Sequence, residues 1–165
     1  MRVLVVSDSH GMIGRLGNIL MAAEAEGPLD AVIHLGDGYC DLDEFAQNGL
    51  PPRYQVAGNC DCGRVPIDYP EILLEDISGV RIYMTHGHRQ GVKFFLSKLV
   101  ADGQRCCANV ILYGHTHEAD CRRLEDGCWI MNPGSAGYGF SAGIIQINGK
   151  DAITCKLVRP SDLEE

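Results

Sequence analysis

Long hydrophobic runs are missing from this sequence. Its apolar stretches break after a few residues, far short of the roughly 20 that a membrane-crossing helix needs. Positive charge is scarce as well. Fourteen Lys and Arg stand against 22 Asp and Glu, a formal net charge of −8. That argues against a broad nucleic-acid or anionic-membrane surface, though not against a small pocket made positive by something other than Lys and Arg. No export signal is expected either. The opening "MRVLVVSDSHG" has one Arg and a short apolar run before Ser, Asp and His intervene, so it reads as a first strand. A cytoplasmic location is the expectation. There are eight cysteines but no Cys-x-x-Cys pair, which removes a structural zinc site of paired thiolates. The thiols are expected to stay reduced, most of them as small buried apolar residues. No repeat, low-complexity segment or linker interrupts the chain. A single domain over residues 1–165 is expected, with 158–165 as a loose tail.

The remaining pattern alternates. Val3–Val6 reads as a buried strand, and Ile13, Leu16, Ile19, Leu20 and Ala23 form a helical stripe over residues 13–25 that Gly27-Pro28 ends. "DAVIHLGDG" is a second strand, a short helix follows around 41–47, and "RYQVAGNCD" is a third strand. This β-α-β-α-β order implies parallel pairing. "EILLEDI" and "VRIYMTHGH" read as a hairpin through Ser78-Gly79. A helix is expected over 92–101, with Val92, Phe95, Leu96 and Leu99 on one face, then the buried strand "ANVILYGH". The rest is β-rich: "EADCRRLE", the Asp126-Gly127 turn, "CWIMNP", "SAGIIQIN" and "AITCKLV".

Polar residues gather where the strands stop. Asp8 and His10, Asp37, Asn59, His86, and His115 with His117 each follow an apolar run. In an open α/β sheet the carboxyl ends of parallel strands form the ligand crevice, so distant stretches of chain would meet at one edge. Two aspartates, an asparagine and four histidines offer oxygen and imidazole nitrogen without sulfur. That mixture suits Mn, Fe, Zn, Co or Ni better than the all-oxygen cages of Mg or Ca. Seven ligands exceed one site but suit two cations about 3.5–4 Å apart, with a shared carboxylate such as Asp37. His34, inside the strand "AVIHLG", reads as a core histidine or a support to the ligands. His88, two residues beyond His86, reads in the same supporting way.

Taken together, "DSHG", "GDG", "GNCD", "THGH" and "GHTH" resemble the motifs of the calcineurin-like metallophosphoesterases. The nearest branch is the small single-domain bacterial and archaeal phosphodiesterases of the YfcE type. The resemblance runs from residue 3 to about residue 158, and "NPGS" at 132–135 shares in it. It implies a four-layer α/β/β/α sandwich with a metal pair at the strand ends. Asp8, His10 and His117 would hold one cation, Asn59, His86 and His115 the other, and Asp37 would bridge them. Manganese is the first expectation, with Ni, Zn, Fe or Co as alternatives. Asn59 and His86 would also stabilise charge on the phosphoryl oxygens while a hydroxide attacks phosphorus in line.

The sequence departs from many relatives at position 60, where Cys60 replaces a histidine that protonates the leaving group. A thiol with a pKa of about 8.5 substitutes poorly for an imidazole acid. Good leaving groups or another acid, with His88 the candidate, would compensate; alternatively Cys60 simply packs near the site. The resulting expectation is a phosphodiesterase acting on small diesters, with no membrane and no long nucleic acid as partner. Oligomeric state is left open. The competing readings are a phosphomonoesterase and a non-catalytic scaffold, like the eukaryotic retromer subunit similar to this branch. That all seven ligand positions are filled favours catalysis.

Overall fold

The computed structural model describes residues 1–63 and 68–163. Among the described residues, ten strands form two five-stranded sheets. The first contains β1 (Arg2–Val6), β2 (Ala31–His34), β3 (Arg53–Gln55), β9 (Ala142–Ile147) and β10 (Ile153–Val158), in the order β10-β9-β1-β2-β3. The second contains β4 (Ile72–Ile77), β5 (Val80–Thr85), β6 (Val110–Leu112), β7 (Asp120–Arg123) and β8 (Trp129–Asn132), in the order β4-β5-β6-β8-β7. β1, β2 and β3 pair parallel, as the alternation of elements implies, and so do β5, β6 and β8.

Side-chain alternation along these strands builds the layers. Val3 and Val5 face a central core with Ile33, Ile82, Met84, Leu112, Met131 and Ile145. Leu4 and Val6, on the opposite face of β1, join Val32 and Ile144 against Leu16, Ile19 and Leu20 of helix α1 (Ile13–Ala25). On the second sheet, Tyr83, Ile111 and Ile130 turn outward to meet Leu99 of helix α2 (Ser97–Arg105). Because successive side chains on a strand point to opposite faces, each central strand serves two cores. The result is the four-layer α/β/β/α sandwich.

Three expectations change. The second helix begins at Ser97 and runs to Arg105, not over 92–101. Val92 packs beside Gly87, and Gly91 takes a left-handed φ of 70°, so the chain must turn before a helix can start. Phe94 and Phe95 are left 81% and 76% exposed, not on the helix's inner face. Nor are the cysteines mostly buried. Only Cys128 and Cys155 are, while Cys40, Cys60, Cys62 and Cys107 are exposed. The closing segment contains a turn of helix, α3 (Pro160–Leu163), that lies against α1. The final two residues of the expected tail fall outside the described residues. The Ser78-Gly79 hairpin forms as read, with positive φ at both turn residues, the requirement of a tight two-residue turn.

The central core carries the stability. Leu112→Ala, at a fully buried position, is expected to cost about 3 kcal/mol in chemical denaturation. Phe95→Ser should change stability by no more than about 0.5 kcal/mol.

Candidate metal centre

The parallel strands of both sheets end at one edge, and short loops carry the polar residues there. Backbone bonds lace these loops together. Asp8 N–H donates to Gly36 O (2.9 Å), His10 N–H to Asp37 O (2.9 Å) and Gly114 N–H to His86 O (3.1 Å). Asp8, His10, Asp37, His115 and His117 all have φ between 50° and 69°. This left-handed state costs roughly 1–2 kcal/mol per non-glycine residue and survives only where surrounding contacts enforce it. Gly114 is not itself the left-handed turn residue. Its role is close approach, because a Cβ there would lie 2.1 Å from Ser7 Oγ and 2.8 Å from Asp8 Oδ2.

Each aspartate is held by one oxygen. Asp8 Oδ2 accepts from Ser7 Oγ and from the His115 N–H (3.1 Å), while Asp37 Oδ1 accepts from the Cys60 N–H (2.8 Å). The other oxygens face the histidines. Asp8 Oδ1 lies 3.1 Å from His117 Nε2, 3.8 Å from His10 Nε2 and 4.0 Å from His86 Nε2. Asp37 Oδ2 lies 3.4 Å from His86 Nε2 and 3.9 Å from His10 Nε2. His86 Nδ1–H donates to Leu35 O (2.7 Å), which leaves Nε2 with its lone pair toward the cluster.

Two overlapping facts fit this cluster to a cation. Asp8–His10–His117 and Asp37–His86–His115 each bring their donor atoms within 4.8 Å of one another, and His10–Asp37–Cys60 does the same. Asp8 Oδ1 and His86 Nε2 are buried with no hydrogen-bond partner. Orphaned buried atoms are costly, and bound divalent cations would satisfy both lone pairs. The N/O donor set fits first-row divalent ions.

The sequence profile of the calcineurin-like phosphoesterase superfamily domain matches residues 1–147. The chain belongs to that superfamily. It is 37% identical over 135 residues to the Probable metallophosphoesterase YsnB of Bacillus subtilis, covering 82% of this chain and 75% of that protein. It is 30% identical over 159 residues to the phosphodiesterase MJ0936 of Methanocaldococcus jannaschii, covering 87% and 89%. Among solved structures, a conserved uncharacterized protein of Streptococcus pneumoniae, described as a predicted phosphoesterase, superposes with a TM-score of 0.75 at 25% identity, covering 98% and 90%. Vps29 of Entamoeba histolytica shares the fold, with a TM-score of 0.75 at 19% identity over 96% and 98%. Superfamily membership and the names of the relatives support a metal-dependent phosphoesterase.

Of the residues singled out from the sequence, the two aspartates and His10, His86, His115 and His117 converge. Asn59 sits at the exposed rim, its Nδ2 3.4 Å from Cys60 Sγ. His88 flanks the cluster, its ring centroid 5.5 Å from His86 and 6.2 Å from His115. His34 supports the loops. Its Nδ1 accepts from the Gly36 N–H, so Nε2–H donates to Ser9 Oγ (2.8 Å), which donates to Asp41 Oδ2 (2.6 Å). Burial lowers the pKa of His34 and outweighs the nearby carboxylates.

Sequence reasoning missed the residues that hold the ligands in place. Asp61 is buried and accepts four backbone N–H bonds, from Asp37, Gly38, Tyr39 and Gly58, at 2.7–3.1 Å. Its signal was its place as the last letter of "GNCD". Asn132 and Ser135 of "NPGS" do similar work. Asn132 Nδ2 donates to Gly114 O and Thr116 Oγ1, and Ser135 Oγ donates to Asp8 O. Tyr138, exposed, stacks on His117 at 5.7 Å between centroids.

The titration behaviour follows from these contacts. For Asp37, burial alone would raise the pKa, but the His86 contact and the Cys60 N–H outweigh it and hold the carboxyl well below its ordinary range. For His86, burial lowers the pKa, yet Asp37 and Asp8 raise it more, for a net upward shift. Burial and then the charge of His86 push His115 down to about 4. Below its raised pKa His86 carries a proton that a cation must displace. Mn affinity measured by calorimetry should therefore fall as pH drops from 7 to 6, by up to about tenfold per displaced proton. Asp61→Ala should cost about 3 kcal/mol by orphaning buried N–H donors and weaken Mn binding in the same titration, although Asp61 is not among the proposed ligands.

Proposed function

We propose that this protein is a phosphodiesterase that uses two divalent cations to hydrolyse small phosphodiesters. Asp8, His10 and His117 would hold one cation and Asn59, His86 and His115 the other, with Asp37 between them. The observation that carries this reading is the pair of buried, unpartnered atoms Asp8 Oδ1 and His86 Nε2, 4.0 Å apart beside Asp37 Oδ2. The relative from Methanocaldococcus jannaschii, named a phosphodiesterase, supports the diester class.

When bound, the cations supply an activated water for in-line attack and neutralise phosphoryl charge inside an otherwise acidic protein. The chain's residues do the rest. The Leu35 carbonyl fixes the tautomer of His86, and the low pKa of His115 keeps that ring unprotonated and able to bind at neutral pH. Asn59 at the rim and His86 in the interior are the proposed stabilisers of the phosphoryl oxygens. His88 is the candidate leaving-group acid. Burial and then the charge of His86 lower its pKa, so it is neutral at pH 7 and a weak donor, which suits leaving groups that need little help. The Cys60 thiol is pushed up by burial and by Asp37, away from a nucleophile's range.

Manganese is the proposed working metal and the cytoplasm the proposed compartment. No helix among the described residues is long and apolar enough to cross a membrane. The fold shared with Vps29 gives a scaffold reading, and a phosphomonoesterase is the other competitor.

Hydrolysis of bis-p-nitrophenyl phosphate with Mn should be abolished by EDTA and restored by added Mn. The monoester p-nitrophenyl phosphate should turn over more slowly. His115→Ala and Asp37→Asn should each lower kcat by about 100-fold or more with an unchanged circular dichroism spectrum. Absence of turnover with every divalent metal would sink the catalytic reading in favour of the scaffold. Faster monoester turnover would make the protein a phosphomonoesterase.

A further inference from the structure

The proposed hydrolysis leaves Cys60 without a task. Its side chain is not filling a core, because the residue is exposed. Yet its position is strictly held. It sits in the helical turn Asn59–Asp61, its N–H donates to Asp37 Oδ1 at 2.8 Å, and Asp61 clamps the loops on either side. The thiol is thereby presented beside His10 and Asp37, and the donor atoms of these three residues lie within 4.8 Å of one another. Together with Gly38 and Tyr39 they line a cavity of about 140 Å³ that opens from the cluster.

We propose that Cys60 Sγ is a metal ligand, forming with His10 Nε2 and the Asp37 carboxylate a sulfur-containing face that selects thiophilic cations such as zinc or cadmium. The proposal rests on the reading of this cluster as a cation centre. The shared His10 Nε2 also lies 3.8 Å from fully buried Asp8 Oδ1, which has no hydrogen-bond partner.

His10 then belongs to two donor sets. With Asp8 and His117 it offers only nitrogen and oxygen; with Asp37 and Cys60 it offers sulfur too. Manganese, a hard ion, gains nothing from the thiolate and stays with the first set. Zinc and cadmium favour thiolate and draw on the second. As the sulfur–metal bond forms, the thiol proton leaves to solvent. A histidine at position 60 would offer another nitrogen and no such discrimination, so the cysteine tunes the centre's metal preference.

Cadmium titration of the metal-free protein tests this, because a thiolate ligand to cadmium produces an ultraviolet charge-transfer band independent of activity. Cys60→Ser is compared with the wild type and with Cys40→Ser and Cys62→Ser, which alter neighbouring thiols. The wild type and both controls should show a band of one thiolate per protein, and Cys60→Ser should lack it. Zinc affinity, measured against a chromophoric chelator, should fall about 10- to 100-fold in Cys60→Ser, while Mn affinity stays within about twofold. A band that persists in Cys60→Ser, or zinc affinity unchanged by the substitution, overturns the proposal while leaving the Mn centre intact. A wild type that binds neither Mn nor cadmium overturns the centre itself, and the sulfur face with it.

Discussion

Asp8 and Asp37 are each held by one oxygen and left open at the other, and the arrangement of the site follows from that division. Ser7 and the His115 N–H grip Asp8 Oδ2, and the Cys60 N–H grips Asp37 Oδ1. The free oxygens then point at the histidines. Two carboxylates so nearly buried would repel each other and suffer from desolvation if nothing positive stood near. The imidazoles supply part of that compensation, and a cation pair would supply the remainder. Part of the grip on Asp8 comes from the second sheet, through the His115 N–H after β6, and the grip on Asp37 comes from the loop after β3. The site is thus a product of both sheets being clamped together, and the central core between them does the clamping.

This explains why so much backbone hydrogen bonding is spent at one edge of the molecule. The end of β1 is tied to the loop after β2, the loop after β6 to that after β5, and the "NPGS" segment to both Asp8 and Gly114. His86 crosses between sheets to reach Leu35 O. The His86 bond fixes the ring itself; the others fix a ligand's direction by fixing its main chain.

The strands and the ligand-bearing ends were legible because burial on both faces of a sheet imposes continuous apolar runs and each run stops abruptly at a polar residue. Val3–Val6 followed by Asp8 and His10 is the plainest case. The second helix was misplaced because Val92, Phe95, Leu96 and Leu99 have helical spacing by coincidence. Val92 packs back on Gly87 and Gly91 takes a left-handed φ, so the chain turns where the apolar spacing alone suggests a helix. The exposed cysteines were misread for a related reason: composition says a thiol is small and apolar, whereas position decides whether it faces core or solvent. Asp61 was invisible as a clamp, since its own loop and the Asp37–Tyr39 loop come together only in the folded chain.

The left-handed backbone at Asp8, His10, Asp37, His115 and His117 has an evolutionary corollary. Glycine or asparagine would occupy those positions with less torsional penalty than histidine does. Erosion of the ligand set is therefore downhill for folding: a descendant that abandons the chemistry can relax these turns and keep, or even firm up, the same sandwich. An architecture of this kind is well placed to be inherited as a bare frame and put to other uses.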